Sequence, residues 1–256
     1  MVATSQETLS RKIGALHDSS SSTHFPPART APDYTHSADG ISASLVDTGA
    51  GGHGAFSPYL LSRRKRALDI AGSLAILAIL SPLLAIIAMI IRLTSPGPAL
   101  FRQIRTGVGG QPFEVYKFRS MYIDDFSSDD VVQASRADAR ITPFGRFIRR
   151  TSLDELPQII NVLQGSMSLV GPRPHAVQHD EYYSPRIATY DYRFAAIPGV
   201  SGLAQVSGAR GGTPRLRDME RRIAYDLAYV RSASLIGDLR IIGATLREML
   251  FSASAY

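Results

Sequence analysis

The sequence has no cysteine and no tryptophan. Without cysteine it has no disulfide, no thiol nucleophile and no thiolate zinc site. Histidine is thin where a metal would need it: four of the six fall within residues 1–62. His175 and His179 have helical metal spacing, but no glutamate follows the first and no third ligand is near. They read as ordinary surface or supporting histidines. The missing tryptophan, and the lack of interleaved aromatic and basic residues, argue against nucleic acid despite a formal net charge of +6. No secretory apolar core follows Arg11-Lys12. The loop Gly107-Val108-Gly109-Gly110-Gln111 lacks the Gly-Lys-Ser/Thr of a P-loop, and Pro112 stands where a dinucleotide fingerprint needs glycine. It reads as a turn.

The charge that is present is unevenly spread. Residues 1–62 carry three Lys/Arg against five Asp/Glu, and residues 63–256 carry 25 against 17. A basic body of this kind suits phosphate-bearing partners such as a nucleotide or an anionic lipid. The first segment, with Ser19-Ser20-Ser21-Ser22, Pro26-Pro27 and Gly49-Ala50-Gly51-Gly52, has no sustained apolar period. It reads as a disordered tail over 1–62.

Arg63-Arg64-Lys65-Arg66 then opens an almost unbroken apolar run from Ala67 to Ile91. That is long enough for a bilayer, and the basic cluster marks its cytoplasmic end. Ser81-Pro82 lies near the middle, and proline removes a helical hydrogen bond. Arg92, Arg102 and Arg105 flank the far end. A simple crossing would put those charges outside; a helix that dips in and returns keeps both basic ends in the cytoplasm. The Ser81 hydroxyl would serve a carbonyl freed by the kink. A kinked single crossing is the alternative. Asp69 sits near the entry, at interface depth.

Pro96-Gly97-Pro98 ends this element. Ala99–Ile104 and Phe113–Phe118 read as two strands of a hairpin. Alternation puts Val115, Lys117 and Arg119 on one face. Asp124-Asp125 and Asp129-Asp130 lie in a Ser-rich stretch and read as a solvated loop.

The richest stretch is Arg149-Arg150-Thr151-Ser152-Leu153-Asp154-Glu155-Leu156-Pro157-Gln158. Apolar spacing from Leu156 predicts a helix with Pro157 in its first turn and the two carboxylates at its N-terminus. Ser152-x-x-Glu155 also matches a capping box, a purely structural reading. The arginines weigh against that reading. A cap needs none, whereas a carboxylate brought to a phosphate needs cations between the two anions. Further on, glycines punctuate 199–212, where they permit close backbone approach to a ligand, and Gln205 and Arg210 are placed to read a base or a phosphate. Leu216, Met219, Ile223, Leu227 and Val230 form one helical stripe. A second period, from Leu235 through Leu239, Ile242, Leu246 and Met249, fits either a packing helix or one lying against lipid headgroups.

Five separated motifs agree in order and spacing. They are the basic–apolar–Ser-Pro segment, Tyr-Lys-Phe-Arg-Ser-Met at 116–121, Ser-Leu-Asp-Glu-Leu-Pro-Gln at 152–158, Val-Gly-Pro-Arg-Pro at 170–174 and Pro-Gly-Val-Ser-Gly at 198–202. Over about 63–250 the chain resembles the bacterial sugar transferases, the monotopic phosphoglycosyl transferases that start exopolysaccharide and O-antigen units. The resemblance implies an α+β protein: a membrane-embedded re-entrant helix over 63–98, kinked at Ser81 and Pro82, and a cytosolic catalytic domain over 99–256 with a β-hairpin, short helices and interfacial helices. It implies a short-form member, without the four-helix bundle of long members. It makes Asp154 the nucleophile on a UDP-sugar and polyprenyl (undecaprenyl) phosphate the acceptor, with UMP released. Glu155 would bind Mg2+, while Lys117, Arg149 and Arg173 hold phosphates and Gln205 and Arg210 contribute to the nucleotide site. Membrane lipid is the third implied partner, the bacterial inner membrane the location, with the catalytic domain on the cytoplasmic side. Homo-oligomerisation is left open. Leu203 departs from the aromatic of many relatives, which bears on the sugar nucleotide, and Ala-Arg-Gly-Gly-Thr at 209–213 looks like the hexose-1-phosphate transferases, glucose or galactose.

Overall fold

The computed structural model describes residues 56–122 and 138–251. The aspartate pairs at 124–130 and residues 1–55 of the tail lie outside the described residues. The tail boundary at 62 falls inside packed structure. Leu60 is buried, the Ser57 hydroxyl donates to the Ala233 carbonyl at 2.7 Å, and the Ser57 amide donates to the Val230 carbonyl.

Helix α1 runs Arg63–Thr94, capped by the Ser62 hydroxyl, which accepts from the Lys65 amide. It is not divided at Pro82: the helix continues through it. The carbonyl that proline leaves without a partner is that of Ala78, and the Ser81 hydroxyl lies 3.5 Å from it, a long bond. The buried residues Lys65, Asp69, Ser73, Ile87 and Ile91 follow one helical stripe. The stripe seats both ends on the same domain. Near the N-terminus Arg66 donates to the carbonyls of Val162 and Leu163. Near the C-terminus Ile87 and Ile91 pack with Phe118 and Ile148. Between them Ile79 and Ser81–Leu83 are exposed.

Strands β1 (Leu100–Thr106) and β2 (Pro112–Phe118) pair antiparallel, with Leu100 opposite Phe118 and Thr106 opposite Pro112. Helix α2 (Pro143–Arg150) follows, capped by Thr142, then a 3-10 turn over Leu153–Glu155 and helix α3 (Gln158–Gln164). β3 (Ser168–Val170) pairs in parallel with β4 (Gly199–Ser201). Here the glycines serve chain against chain. A Cβ on Gly199 would lie 2.1 Å from the Gly171 amide, so these glycines let two backbones meet, not a backbone and a ligand. Between β3 and β4 lie α4 (Val177–Tyr183) and a 3-10 segment, Tyr190–Ala195. α5 (Leu203–Val206), α6 (Leu216–Ser232) and α7 (Leu235–Phe251) complete the described chain.

The α6 stripe packs as its spacing predicts: Met219, Ile223, Leu227 and Val230 are buried, and only Leu216 is exposed. α7 behaves differently. Ile241 and Asp238 are its buried residues, while Ile236, Leu239, Leu246 and Met249 are exposed with Arg240 and Arg247 beside them. Of the stripe, Leu235, Leu239, Leu246 and Met249 are thus exposed, while Ile242 packs against the core.

Asp69 is not at a lipid interface. Its carboxylate accepts from the Ser168 hydroxyl at 2.9 Å and the Leu169 amide at 3.0 Å. Lys65 is buried with it, donating to Ser168 Oγ, the Val170 carbonyl and Asp238. Helix phase explains the difference from Arg63 and Arg64, which remain exposed: only Lys65 shares the inward stripe with Asp69, four residues on.

Candidate active site

The acidic pair is not at the start of α3. It lies on its own 3-10 turn, and Pro157 is the N-cap of α3. Ser152 enters the turn at φ 58°, and among the described residues no other non-glycine has a positive φ. An L-residue held there carries roughly 1–2 kcal/mol of strain. The Ser152 side chain makes no capping bond; its hydroxyl accepts from the Arg210 guanidinium at 2.6 Å. The capping-box reading therefore fails at its first residue, which is tied instead to a loop some sixty positions on.

The two carboxylates meet different surroundings. Glu155 accepts from Lys117 at 3.1 Å and from both terminal nitrogens of Arg173. Burial would raise its carboxyl, but Arg173 and Lys117 overcome that and hold it well below the usual carboxylate range. Asp154 has no such bidentate partner. Burial and the neighbouring Glu155 push it up to about 6, against the pull of Lys117, Arg149 and Arg173. Two adjacent carboxylates driven apart in this way is the arrangement in which one holds structure and the other does chemistry.

The structure thus brings together Asp154, Glu155, Lys117 and Arg173, with Arg149 close enough to act on Asp154 and Arg210 bonded to Ser152. Gln205 belongs elsewhere in its bonding: it is buried, and its amide nitrogen donates to the Val200 carbonyl at 3.2 Å. Arg119, expected beside Lys117, is also diverted. The strand ends at Phe118, and Arg119 turns back to donate to Ser95 and to the Pro96 carbonyl, clamping the exit of α1.

Sequence reasoning missed the layer behind Arg173. Arg193 is buried, donates to the Arg173 carbonyl and to His175 Nδ1, and pairs with Asp226 at 3.0 Å. Tyr190 links His175 to Asp180 through two 2.6 Å contacts. His175 is therefore a buried supporting group, and burial beside Arg193 holds it well below its ordinary pKa. Arg222 donates to the carbonyls of Ala209, Arg210 and Gly211, holding the glycine loop from behind. Nothing local signals these contacts, since they join residues 10 to 33 positions apart. Among the described residues no three carboxylates, histidines or cysteines cluster to hold a metal.

The structure combines an apolar helix long enough to cross a membrane, seated at both ends on a small α+β domain, with an acidic turn that has cations close by. The chain belongs to the bacterial sugar transferase family, whose model matches residues 60–252. It is similar to the UDP-glucose:undecaprenyl-phosphate glucose-1-phosphate transferase of Caulobacter vibrioides, 51% identical over 193 residues, which are 75% of this chain and 72% of that protein. The Escherichia coli K12 protein of the same name is 49% identical over 193 residues, 75% of this chain and 41% of the relative. An undecaprenyl-phosphate galactose phosphotransferase of Salmonella typhimurium is 40% identical over 207 residues, again 75% of this chain and 41% of its own length. The chain thus spans about two fifths of the longer relatives.

Proposed function

We propose that the protein transfers a hexose 1-phosphate, glucose in first place, from its UDP-sugar to polyprenyl phosphate, as the first step of a surface glycan such as an exopolysaccharide. A carboxylate oxygen of Asp154 attacks the sugar-bearing phosphorus. The P–O bond to the nucleotide breaks and UMP leaves with that electron pair. An oxygen of polyprenyl phosphate then attacks the same phosphorus, releases Asp154 and forms polyprenyl-diphospho-sugar. The observation that carries this reading is the contrast within the pair, Asp154 pushed up and lacking the cationic clasp that holds Glu155. A carboxylate already bound by two cations is a poor nucleophile, while one lightly held among cations can approach a dianion. The choice of glucose follows the names of relatives such as that of Caulobacter vibrioides.

Mg2+ would act here as it serves diphosphates, through one or two carboxylates with phosphate oxygens completing the shell. Glu155 would hold it, with Asp154 adjacent, and the ion would neutralise charge on the transferring phosphate. Glu155 Oε2 is bonded to Arg173 alone, whereas Oε1 is shared with Lys117.

Membrane fractions given radiolabelled UDP-glucose and polyprenyl phosphate should form an organic-extractable product with one UMP per transfer, and UDP-galactose should work less well. Release of UDP, or no lipid product, would overturn the proposal. Because Asp154 must be ionised, turnover of the donor should fall as pH drops through about 6, close to tenfold per unit below it.

We also propose that α1 enters and leaves the inner membrane on the cytoplasmic side. Both of its ends are anchored to one domain, and the apolar middle is what remains for lipid. With no native thiol to interfere, Thr94→Cys should react with an impermeant maleimide only after the cells are opened. Reaction in intact cells would exclude the dipping helix.

A further inference from the structure

The hairpin register carries a second inference, which rests on the transfer reaction proposed above. Phe101, Gln103 and Arg105 stand opposite Lys117, Val115 and Phe113. Opposed residues of an antiparallel pair share a face, so Arg105 is on the face of Lys117 and Val115. Val115 is 1% exposed, which makes that face the inner one. Arg102 and Glu114 occupy the other face, with side chains 63% and 46% exposed. An antiparallel bridge joins Arg105 to Ala176 and sets it beside the segment that has just left Arg173.

Arg105 is poorly provided for there. Of its five N–H donors, one bonds to Gln103 Oε1, at 2.5 Å. Among the described residues no carboxylate comes within salt-bridge distance of it, whereas Arg102 one turn of the pleat away has Glu114. Its neighbours of largest electrostatic influence are Arg173, Glu155 and Asp180, and burial together with Arg173 brings the guanidinium down to about 10. Arg173 already holds Glu155 with both terminal nitrogens, so of the two guanidinium groups it is Arg105 whose charge no carboxylate meets within salt-bridge distance among the described residues.

We infer that Arg105 and Arg173 form a second phosphate subsite, which takes the phosphate of the departing nucleoside monophosphate. Position along the hairpin selects that phosphate over the lipid's. Lys117 lies opposite Phe101, at the end where the chain leaves α1. Arg105 is four residues further toward the Gly107 turn, about 14 Å along the strand. With α1 in the membrane as proposed above, the lipid phosphate comes from the α1 side, so the far subsite is left to the nucleotide.

Arg105→Gln is expected to raise the KM for UDP-glucose about ten- to a hundredfold, the usual loss for a charge-assisted bond, and to weaken UMP inhibition by a similar factor. The KM for polyprenyl phosphate should be unchanged, and Arg105→Lys should recover part of the loss. An unchanged donor KM, or a change confined to the lipid, overturns the inference. A wild-type protein that makes no lipid-linked product fails the transfer reading instead. A measurement on the unaltered protein needs neither variants nor turnover. Phenylglyoxal labels accessible arginines, and mass spectrometry should find Arg105 protected by UMP but not by polyprenyl phosphate. Equal labelling of Arg105 with and without UMP overturns the subsite.

Discussion

Replacing Asp154 with asparagine should reduce transfer by at least a thousandfold and abolish the covalent phosphosugar adduct, while leaving the protein folded and slightly more stable above pH 6. Removing a covalent nucleophile takes away the whole two-step route, so the loss exceeds what one hydrogen bond accounts for. The stability sign follows from linkage. The Asp154 carboxyl is raised in the folded protein, to about 6 from an ordinary 3.8. Its contribution favours folding most when it is protonated, below the unfolded value, and is lost as pH rises through about 6. Asparagine imitates the protonated form and escapes that loss. A residue acting only as a helix cap predicts the reverse, a loss of about 1 kcal/mol and no enzymatic consequence. Intact-protein mass spectrometry after incubation with UDP-glucose measures the adduct, and a melting curve at pH 5 and pH 8 measures the stability. An Asp154→Asn protein that kept its turnover would remove Asp154 from the reaction.

The second large effect is on stability. Lys65→Met should cost about 3–5 kcal/mol, the usual result of stripping one partner from a buried ion pair. For a chain of this size that is a fall in melting temperature of roughly 6–20 °C. The Lys65 ammonium lies 2.8 Å from Asp238 and 3.7 Å from Asp69, and all three side chains are nearly inaccessible. Tyr59 and Tyr229 also donate to Asp238, at 3.1 and 2.9 Å, but neither brings a charge. Losing the lysine leaves two buried carboxylates against a neutral surround. Arg64→Met, one residue away and exposed, should change stability by less than about 0.5 kcal/mol. Adding Asp238→Asn to Lys65→Met should recover part of the loss. Equal melting temperatures for the Lys65 and Arg64 variants would show that the basic cluster acts as a unit at the lipid surface and that the buried pair contributes nothing.

These two residues mark where sequence reading works and where it stops. The acidic pair in basic company was legible because its neighbours in the chain carry the signal: arginines five and four positions before Asp154, a second carboxylate after it, and an apolar run beyond. The hairpin and the α6 stripe were legible for the same reason, since alternation and 3.6-residue spacing are local properties. Lys65 was not. In the chain it is one of four consecutive basic residues, and nothing local separates it from Arg64.

What the sequence by itself determined is the set of short-range facts: an apolar helix of membrane length, an acidic pair in basic company, strands that alternate, and motifs whose order names a family. The tertiary structure alone decided the assignment of each charge. It sent Lys65 inward and left Arg64 outside, and it turned Arg119 back onto the end of α1 while Lys117 went to Glu155. It bound Glu155 to two cations and left its neighbour Asp154 outside that clasp. It set Arg193 and Asp226 behind Arg173. The reason is physical. The free energy of a charge depends on its burial and on partners that the chain brings together from 24 to 173 positions away, and no local pattern encodes that distance.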